Sequence, residues 1–265
     1  MGLEKYIAFA RIEIKRIMAY RFDVVTQMVN SVVVLVTFTY FWRAVYGGRE
    51  VLVGMSLDQM ITYIFLTRVV RSLTATRIDR QILRRIRSGD IAVDLYRPAS
   101  FVGINYGQAL GGGLFYLLAI GVPILVLGRL VFGMQPPVST GAELVFVAST
   151  ALGVAVQFGI DVTFGLIIFW TMAGWGIGMA KGFTERFFSG ALIPLNFFPD
   201  WLRPVADWLP FRSAVYTPIA IYTGMIPLAQ APEYLAVQAA WAVALNLAAA
   251  FMVRRAYRRL EVQGG

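Results

Sequence analysis

Hydrophobic residues along the chain fall into long blocks that are separated by short polar or glycine-containing segments. A helix needs about 20 apolar residues to cross the hydrocarbon core of a bilayer. The fourth and fifth blocks are nearly continuous, and we separate them around Met172-Ala-Gly174. The pattern predicts an all-α polytopic membrane protein, with one transmembrane domain over residues 1–265. The six predicted spans are residues 24–46, 57–76, 102–131, 143–170, 173–195 and 233–253.

Residues 2–22, ahead of the first span, form an amphipathic pattern. Apolar side chains such as Tyr6 and Ala10 recur at helical spacing, while Lys5 and Arg11 fall on the opposite face. This pattern predicts a helix that lies in the membrane interface, with its cations among the lipid headgroups. The alternative is a soluble amphipathic helix that packs on a partner protein.

A second amphipathic segment, residues 77–97, separates spans two and three. Isoleucines spaced four residues apart predict one apolar ridge on a basic helix, and a glycine predicts its end. Two uses of this helix remain open. It docks its ridge into a groove of a partner protein, or it rests on anionic lipid. The residues assigned to the docking surface are Ile78, Ile82, Arg84, Arg85, Ile86 and Gly89.

Residues 199–224, between spans five and six, are too apolar for an ordinary loop and too rich in proline for a straight helix. Proline kinks or ends helices, and tryptophan favours the membrane–water boundary. Broken backbone at membrane depth is tolerated only where protein or a water-filled cavity covers it. The segment therefore predicts short re-entrant helices. Its marker residues, with the proline that closes span five, are Pro194, Pro199, Trp201, Pro210 and Pro218.

Composition narrows the class of protein. The 265 residues are 58% hydrophobic, with a mean hydropathy of +0.66, which is more apolar than a soluble domain can hide. The chain has no cysteine and no histidine, which removes disulfide scaffolds, Ser-His-Asp triads and most zinc sites. We therefore expect no bound metal or cofactor, and we do not expect an enzyme that acts on lipid.

The distribution of charge indicates topology rather than nucleic-acid binding, although the formal net charge is +9. Most Lys and Arg fall in residues 2–22, in residues 77–97 and after the last span. Because cytoplasmic loops carry an excess of these residues, both termini are predicted to be cytoplasmic and residues 199–224 to face outward. The predicted location is the cell (plasma or inner) membrane, in contact with its lipids and with no nucleic acid.

Charged residues inside the predicted spans are candidates for a translocation path. Each costs at least ~2.5–3.5 kcal/mol on insertion scales, so each should face the bundle interior. They line a polar cavity, or they pair internally: Lys181 with Glu185 four residues away, and Asp161 with Arg186 or Arg68. Glycine patches at 111–113 and 174–178 predict close helix packing. The candidate path residues are Arg68, Asp161, Lys181, Glu185 and Arg186.

No segment matches G-x-x-x-x-G-K-[ST], the loop that cradles nucleotide phosphates. Several features, in order along the whole chain, resemble the permease subunits of ABC-2-type exporters. They include the N-terminal helix, the basic segment ending in Arg87-Ser-Gly-Asp-Ile-Ala-Val-Asp-Leu-Tyr-Arg-Pro-Ala-Ser100, Phe169-Trp170, Ser189-Gly-Ala-Leu-Ile-Pro194 and Phe198-Pro199. Within that superfamily the chain is similar to a branch in which two related permeases often pair.

The resemblance implies partners. The helix at 77–89 would be a coupling helix that docks on an ATPase subunit, and the N-terminal helix would meet the ATPase as well. Residues 199–224 would form two short re-entrant helices near the outer leaflet. Two permeases, identical or paralogous, would assemble with two ATPase subunits that bind ATP and Mg, so this chain would hold no catalytic residue.

The resulting hypothesis is a permease that moves an amphipathic, lipid-like or drug-like substrate out of the cytoplasm or the inner leaflet. An alternative is an ATP-independent channel or secondary transporter in which Asp161, Lys181 and Glu185 carry ions or protons. Inverted repeats between the two halves are not apparent in the sequence, which disfavours the alternative.

Overall fold

The all-α class predicted from the hydrophobic pattern is confirmed. The computed structural model describes residues 3–74, 78–90, 100–171 and 174–263. A short antiparallel hairpin, β1 (Val51–Leu52) and β2 (Met55–Ser56), joins the second and third helices. The helices are α1 (Leu3–Ala19), α2 (Arg21–Tyr46), α3 (Leu57–Thr74), α4 (Ile78–Ser88), α5 (Phe101–Tyr116), a π-helical turn (Leu117–Gly121), α6 (Val122–Val131), α7 (Thr140–Thr171), α8 (Gly174–Phe188), α9 (Arg203–Trp208), α10 (Phe211–Ala214), α11 (Tyr216–Tyr222) and α12 (Ala231–Gln263).

Four helical segments among the described residues are long and apolar enough to cross a membrane. They are α2, the continuous segment Phe101–Val131, α7 over Thr140–Ile168, and Leu228–Ala256, which is mostly α12. Predicted spans two and five are also helical, as α3 with 18 residues and α8 with 15. Both carry several charged side chains, which lower their hydropathy. The count of six spans therefore stays a prediction.

Helix α2 shows how a span divides its surface between protein and lipid. Leu35, Thr39, Trp42 and Tyr46 are buried and recur at three- or four-residue spacing, so they share one face of the helix. Most of the remaining surface is exposed and apolar. A narrow buried stripe on an otherwise apolar helix is what a span at the edge of a bundle requires.

The main core is built around α3. Its Phe65, Leu66 and Val70 are buried in one cluster with residues of α11, in which every side chain is buried. The proline-rich segment therefore contains three short helices, α9 to α11, where the family resemblance implies two. Trp201 and Trp208 stay exposed, while α10 and α11 enter the core beside α7.

Helix α1 packs along α5 on a stripe of glycines. A Cβ atom at Gly107 would lie 2.6 Å from the carbonyl oxygen of Tyr6, and one at Gly111 would lie 2.5 Å from that of Ala10. Only glycine lets two backbones approach this closely. The helix predicted at the N-terminus is thus held against a span by direct backbone contact, and its place in the membrane interface stays a prediction.

The two glycine patches have different environments. A Cβ at Gly113 would lie 2.6 Å from the carbonyl oxygen of Leu73, so the close packing expected at 111–113 is confirmed. At Gly176 and Gly178 a Cβ would meet no atom of the chain within 4 Å. The second patch therefore faces open space on α8, and the close packing predicted there is not found.

The glycine stripe generates a stability prediction. We expect Gly107→Ala to lower the free energy of unfolding by about 1–3 kcal/mol, because the added methyl group overlaps the backbone of α1. The measurement is thermal or denaturant unfolding of the purified chain in mild detergent. Gly178→Ala, also inside a helix but in open space, is the matched control and should cause no loss. Equal losses in both variants would contradict the packing.

Candidate functional site

The basic helix α4 ends before Gly89, whose φ of +81° suits glycine at a helix end, and turns its apolar ridge toward the rest of the chain. Ile78 and Ile82 are fully buried against α7. Gly165 of α7 permits the approach, since a Cβ there would lie 3.2 Å from the Cα of Asp79. This corrects the expectation that the ridge contacts a partner, because α7 already covers both isoleucines.

The face that α4 leaves exposed is basic. Arg80, Arg84 and Arg87 are exposed, whereas Arg85 and Ile86 are half-buried. A protein that docks on this helix in the observed conformation meets arginines rather than isoleucines. The part of the docking segment beyond residue 90, up to residue 97, lies outside the described residues.

A buried ammonium group joins α4 to α7 and α8. The Nζ of Lys181 on α8 lies 2.9 Å from Oδ2 of Asp79 on α4 and 3.6 Å from Oε2 of Glu185, one turn along α8. It also forms an ion pair with Asp161 of α7. The side chain of Lys181 is only 6% exposed. Three helices therefore meet at one charge. We call Asp79, Asp161, Lys181, Glu185 and the neighbouring Arg71 of α3 the ion cluster.

Neighbouring polar side chains satisfy the carboxylates of the ion cluster. Nη1 of Arg71 on α3 lies 3.3 Å from Oε1 of Glu185, and Nε2 of Gln157 donates to Oδ1 of Asp161 over 2.8 Å. Removing charges from water is costly, and the attraction between them compensates only when the remaining hydrogen-bonding groups are also paired. The two cations and the amide provide that pairing here.

The internal pairing proposed for the charged residues is partly correct. Lys181 pairs with Glu185, as their spacing predicts. Asp161 pairs with Lys181, whereas the sequence prediction named Arg186 or Arg68 as its partner. Arg186 is exposed at the edge of the cavity described next, and Arg68 lies in the wall of a second cavity.

Two members of the ion cluster, Asp79 and Arg71, are missed by the sequence prediction. Asp79 is the one acidic residue among residues 75–89, and an acid in the first turn of a helix is ordinarily explained by the helix dipole. The one feature of the sequence that could have identified Asp79 is that it stands as a single acid among arginines. Its partner Lys181 lies 102 residues further along the chain, so the pair depends on how α4 packs on α7.

A cavity of about 620 Å³ opens beside the ion cluster, between α3, α4, α7 and α8. Lys181, Glu185 and Arg71 form polar parts of its wall, and the exposed rings of Trp175 and Phe183 form apolar parts. Such a wall offers charged groups and ring faces to an amphiphile. In the part of the chain that the structure describes, no group of three or more His, Cys, Asp and Glu side chains is placed to hold a metal ion.

The proline-rich markers lie at bends of the backbone and not around the ion cluster. Pro194 precedes a 3-10 turn, Pro210 precedes α10, and Pro218 lies in the first turn of the buried helix α11. Pro199 begins the turn that leads to α9, where Trp201 is 73% exposed. These residues shape the path of the chain into the core.

The family model described as ABC-2 family transporter protein matches residues 32–264. The matched range includes the ion cluster, the cavity beside it and the proline-rich segment. The comparisons with curated proteins and with solved structures found no match.

The ion cluster generates a second stability prediction. We expect Lys181→Met to lower the free energy of unfolding by about 3–5 kcal/mol, because it leaves Asp79, Asp161 and Glu185 buried without their shared counter-ion. Unfolding of the purified chain in detergent measures the loss. Adding Asp161→Asn to Lys181→Met should restore part of it, since one of the mutually repelling carboxylates is then neutral.

The matched control is Arg186→Met, which removes an exposed cation from the same helix. Its effect should stay within about 0.5 kcal/mol, as for ordinary surface substitutions. Wild-type stability of the Lys181→Met variant would show that the ammonium does not hold the three helices together.

Proposed function

This chain belongs to the ABC-2 family of transporter proteins, and we propose on that basis that it is the permease subunit of an ATP-driven exporter. Its long apolar helices make it a multi-pass membrane protein, and permeases of this family normally work with ATPase partners. In this proposal the chain holds no catalytic residue and no cofactor. ATP and Mg are bound by separate ATPase subunits.

The observation that carries the proposal is the double attachment of α4 to the membrane helices. Ile78 and Ile82 pack on α7, and Asp79 is paired with Lys181 of α8. A short helix that is attached on two sides cannot move alone. Displacement of α4 by a partner would therefore carry α7 and α8 with it, as in the rigid-body transitions of other switching proteins.

The proposed mechanism follows from that attachment. Two ATPase subunits close on ATP and push on the exposed basic face of α4, which includes Arg80, Arg84 and Arg87. Helices α7 and α8 then tilt and open an outward path for an amphipathic substrate. We further propose that two permeases, identical or paralogous, form the path between them, in a cell inner membrane with both termini in the cytoplasm.

The second candidate function, ion or proton carriage without ATP, depends on the same charged residues. Lys181 pairs with both Asp161 and Glu185, and such pairing is the ordinary structural solution for buried charge. Transport that persists after ATP depletion and follows an ion gradient would favour this candidate over the exporter.

The first test is purification of the tagged chain from its native membranes in mild detergent, with identification of the proteins that accompany it. We expect an ATPase that carries a phosphate-binding loop, with or without a second permease. Recovery of the chain alone, under crosslinking as well, would contradict the exporter proposal.

The exposed basic face of α4 generates a sharper prediction. We expect Arg84→Glu to reduce the amount of ATPase that purifies with the chain by at least about tenfold, because a reversed charge replaces attraction with repulsion at the contact. Quantitative immunoblotting of the purified complex, at equal amounts of permease, measures the change.

Arg49→Glu is the matched control, since Arg49 is also an exposed arginine and lies beside the hairpin, in a region predicted to face the opposite side of the membrane. It should leave the ATPase yield unchanged. Equal yields for Arg84→Glu and Arg49→Glu would place the ATPase contact elsewhere than on α4.

A further inference from the structure

A second cavity, of about 170 Å³, lies between α2 and α3, with part of its wall from the segment after α8. One end of it is polar and cationic. Arg68 and Arg71 both line it, and Nε of Arg68 donates to Oγ of Ser31 over 2.7 Å. Arg71 contacts Glu185 on the other side, which holds its guanidinium in place.

The other end of the cavity is apolar. Val34, Phe38 and Trp42 recur along α2 at four-residue spacing, so they form one continuous strip of wall beyond Ser31. From Val34 to Trp42 this strip extends about 12 Å, at 1.5 Å per helical residue. Ile64 of α3 lines the facing side. The cavity thus changes from charged to apolar along its length.

The mouth of the cavity opens on the exposed surface of α2, a candidate membrane span. Asn30 is exposed at the polar end, and Val34 is 44% exposed beside it. A molecule with one charged end and one apolar chain, already dissolved in the bilayer, therefore meets this opening from the side.

We propose that this cavity binds the headgroup of an anionic amphiphile, a phosphate or a carboxylate, with its chain along Val34, Phe38 and Trp42. We also infer that such amphiphiles are the substrate class of the transporter, an inference that rests on the proposed function. Arginine presents a planar fork of donors that matches both anions, and basic pockets between membrane helices bind lipid headgroups.

The size of the cavity adds to the specificity. A cavity of 150 Å³ in another protein accepts one benzene molecule, so about 170 Å³ admits a small headgroup with one chain, which continues along the apolar strip toward Trp42. A cationic amphiphile of the same length would place its ammonium beside two guanidinium groups. The cavity therefore selects by the sign of the headgroup charge, and its apolar strip gives little selection among chain types.

The test measures binding to the purified full-length chain in nanodiscs of zwitterionic lipid. The probe is dodecyl phosphate brominated near the end of its chain, which quenches nearby tryptophan fluorescence. We expect saturable quenching that Trp42→Phe reduces. The corresponding dodecyltrimethylammonium probe should neither quench saturably nor compete. Equal binding of the two probes, or no saturable binding of the phosphate, would overturn the proposal.

Three variants assign the site. Arg68→Gln should weaken binding of dodecyl phosphate at least about tenfold, the ordinary effect of losing a charged hydrogen bond. Arg49→Gln removes an exposed arginine that lines neither cavity and should leave binding unchanged. Asn30→Asp adds a negative charge to an exposed residue at the mouth of the cavity and hardly changes the size of the side chain. It therefore tests the site even if Arg68→Gln does not fold. It should weaken binding several-fold, and unchanged binding in both Asn30→Asp and Arg68→Gln would exclude this cavity.

A measurement of ATP hydrolysis distinguishes a lipid that only resides in the cavity from a transported substrate. In the complex with its ATPase, dodecyl phosphate should stimulate ATP turnover, and Asn30→Asp should shift that response to higher concentration. Binding without stimulation would identify a resident lipid and overturn the assignment of substrate class. The binding assay needs no ATPase. A chain that binds the probe but purifies without an ATPase would therefore contradict the exporter proposal and not the site. A chain that purifies with an ATPase but does not bind the probe would contradict the site alone.

Discussion

The ammonium group of Lys181 must be neutralised where it lies, because a charge inside an apolar bundle cannot be left without a partner. Carboxylates from α4, α7 and α8 meet this requirement together. Together with the buried isoleucines of α4, this pairing fixes the position of a short, highly basic helix on the apolar spans. Its buried isoleucines add apolar contact, but the ion cluster gives the attachment its direction and register.

Close backbone contact between α5 and its neighbours α1 and α3 supplies a second constraint. Because the glycines of α5 carry no Cβ atom, the backbones of α1 and α3 can lie directly against α5. In lipid there is little hydrophobic force between helices, so close packing of this kind contributes much of their association. Helix α3 is buried in the main core, whereas α8 packs on α4 and α7 and leaves Trp175 and Phe183 exposed.

Arg71 connects the two cavities. It lies in the wall of both, and its guanidinium contacts Glu185 of the ion cluster. An anion that binds beside Arg71 in the smaller cavity would draw on the same charge that stabilises Glu185. Within the proposed function, this is a short physical route by which substrate in the membrane and movement of α4 affect one another.

The sequence by itself determined the class of protein and most helix positions, because blocks of apolar residues and their periodicity are local properties. It also offered, as one of two alternatives, the pairing of Lys181 with Glu185, which lie on one helix face. The Asp79–Lys181 pair and the inward face of Ile82 were decided by the packing of α4 on α7. That packing brings together residues far apart in the chain, and the local pattern of a basic amphipathic helix is the same whether its apolar ridge meets a partner, lipid or the chain itself.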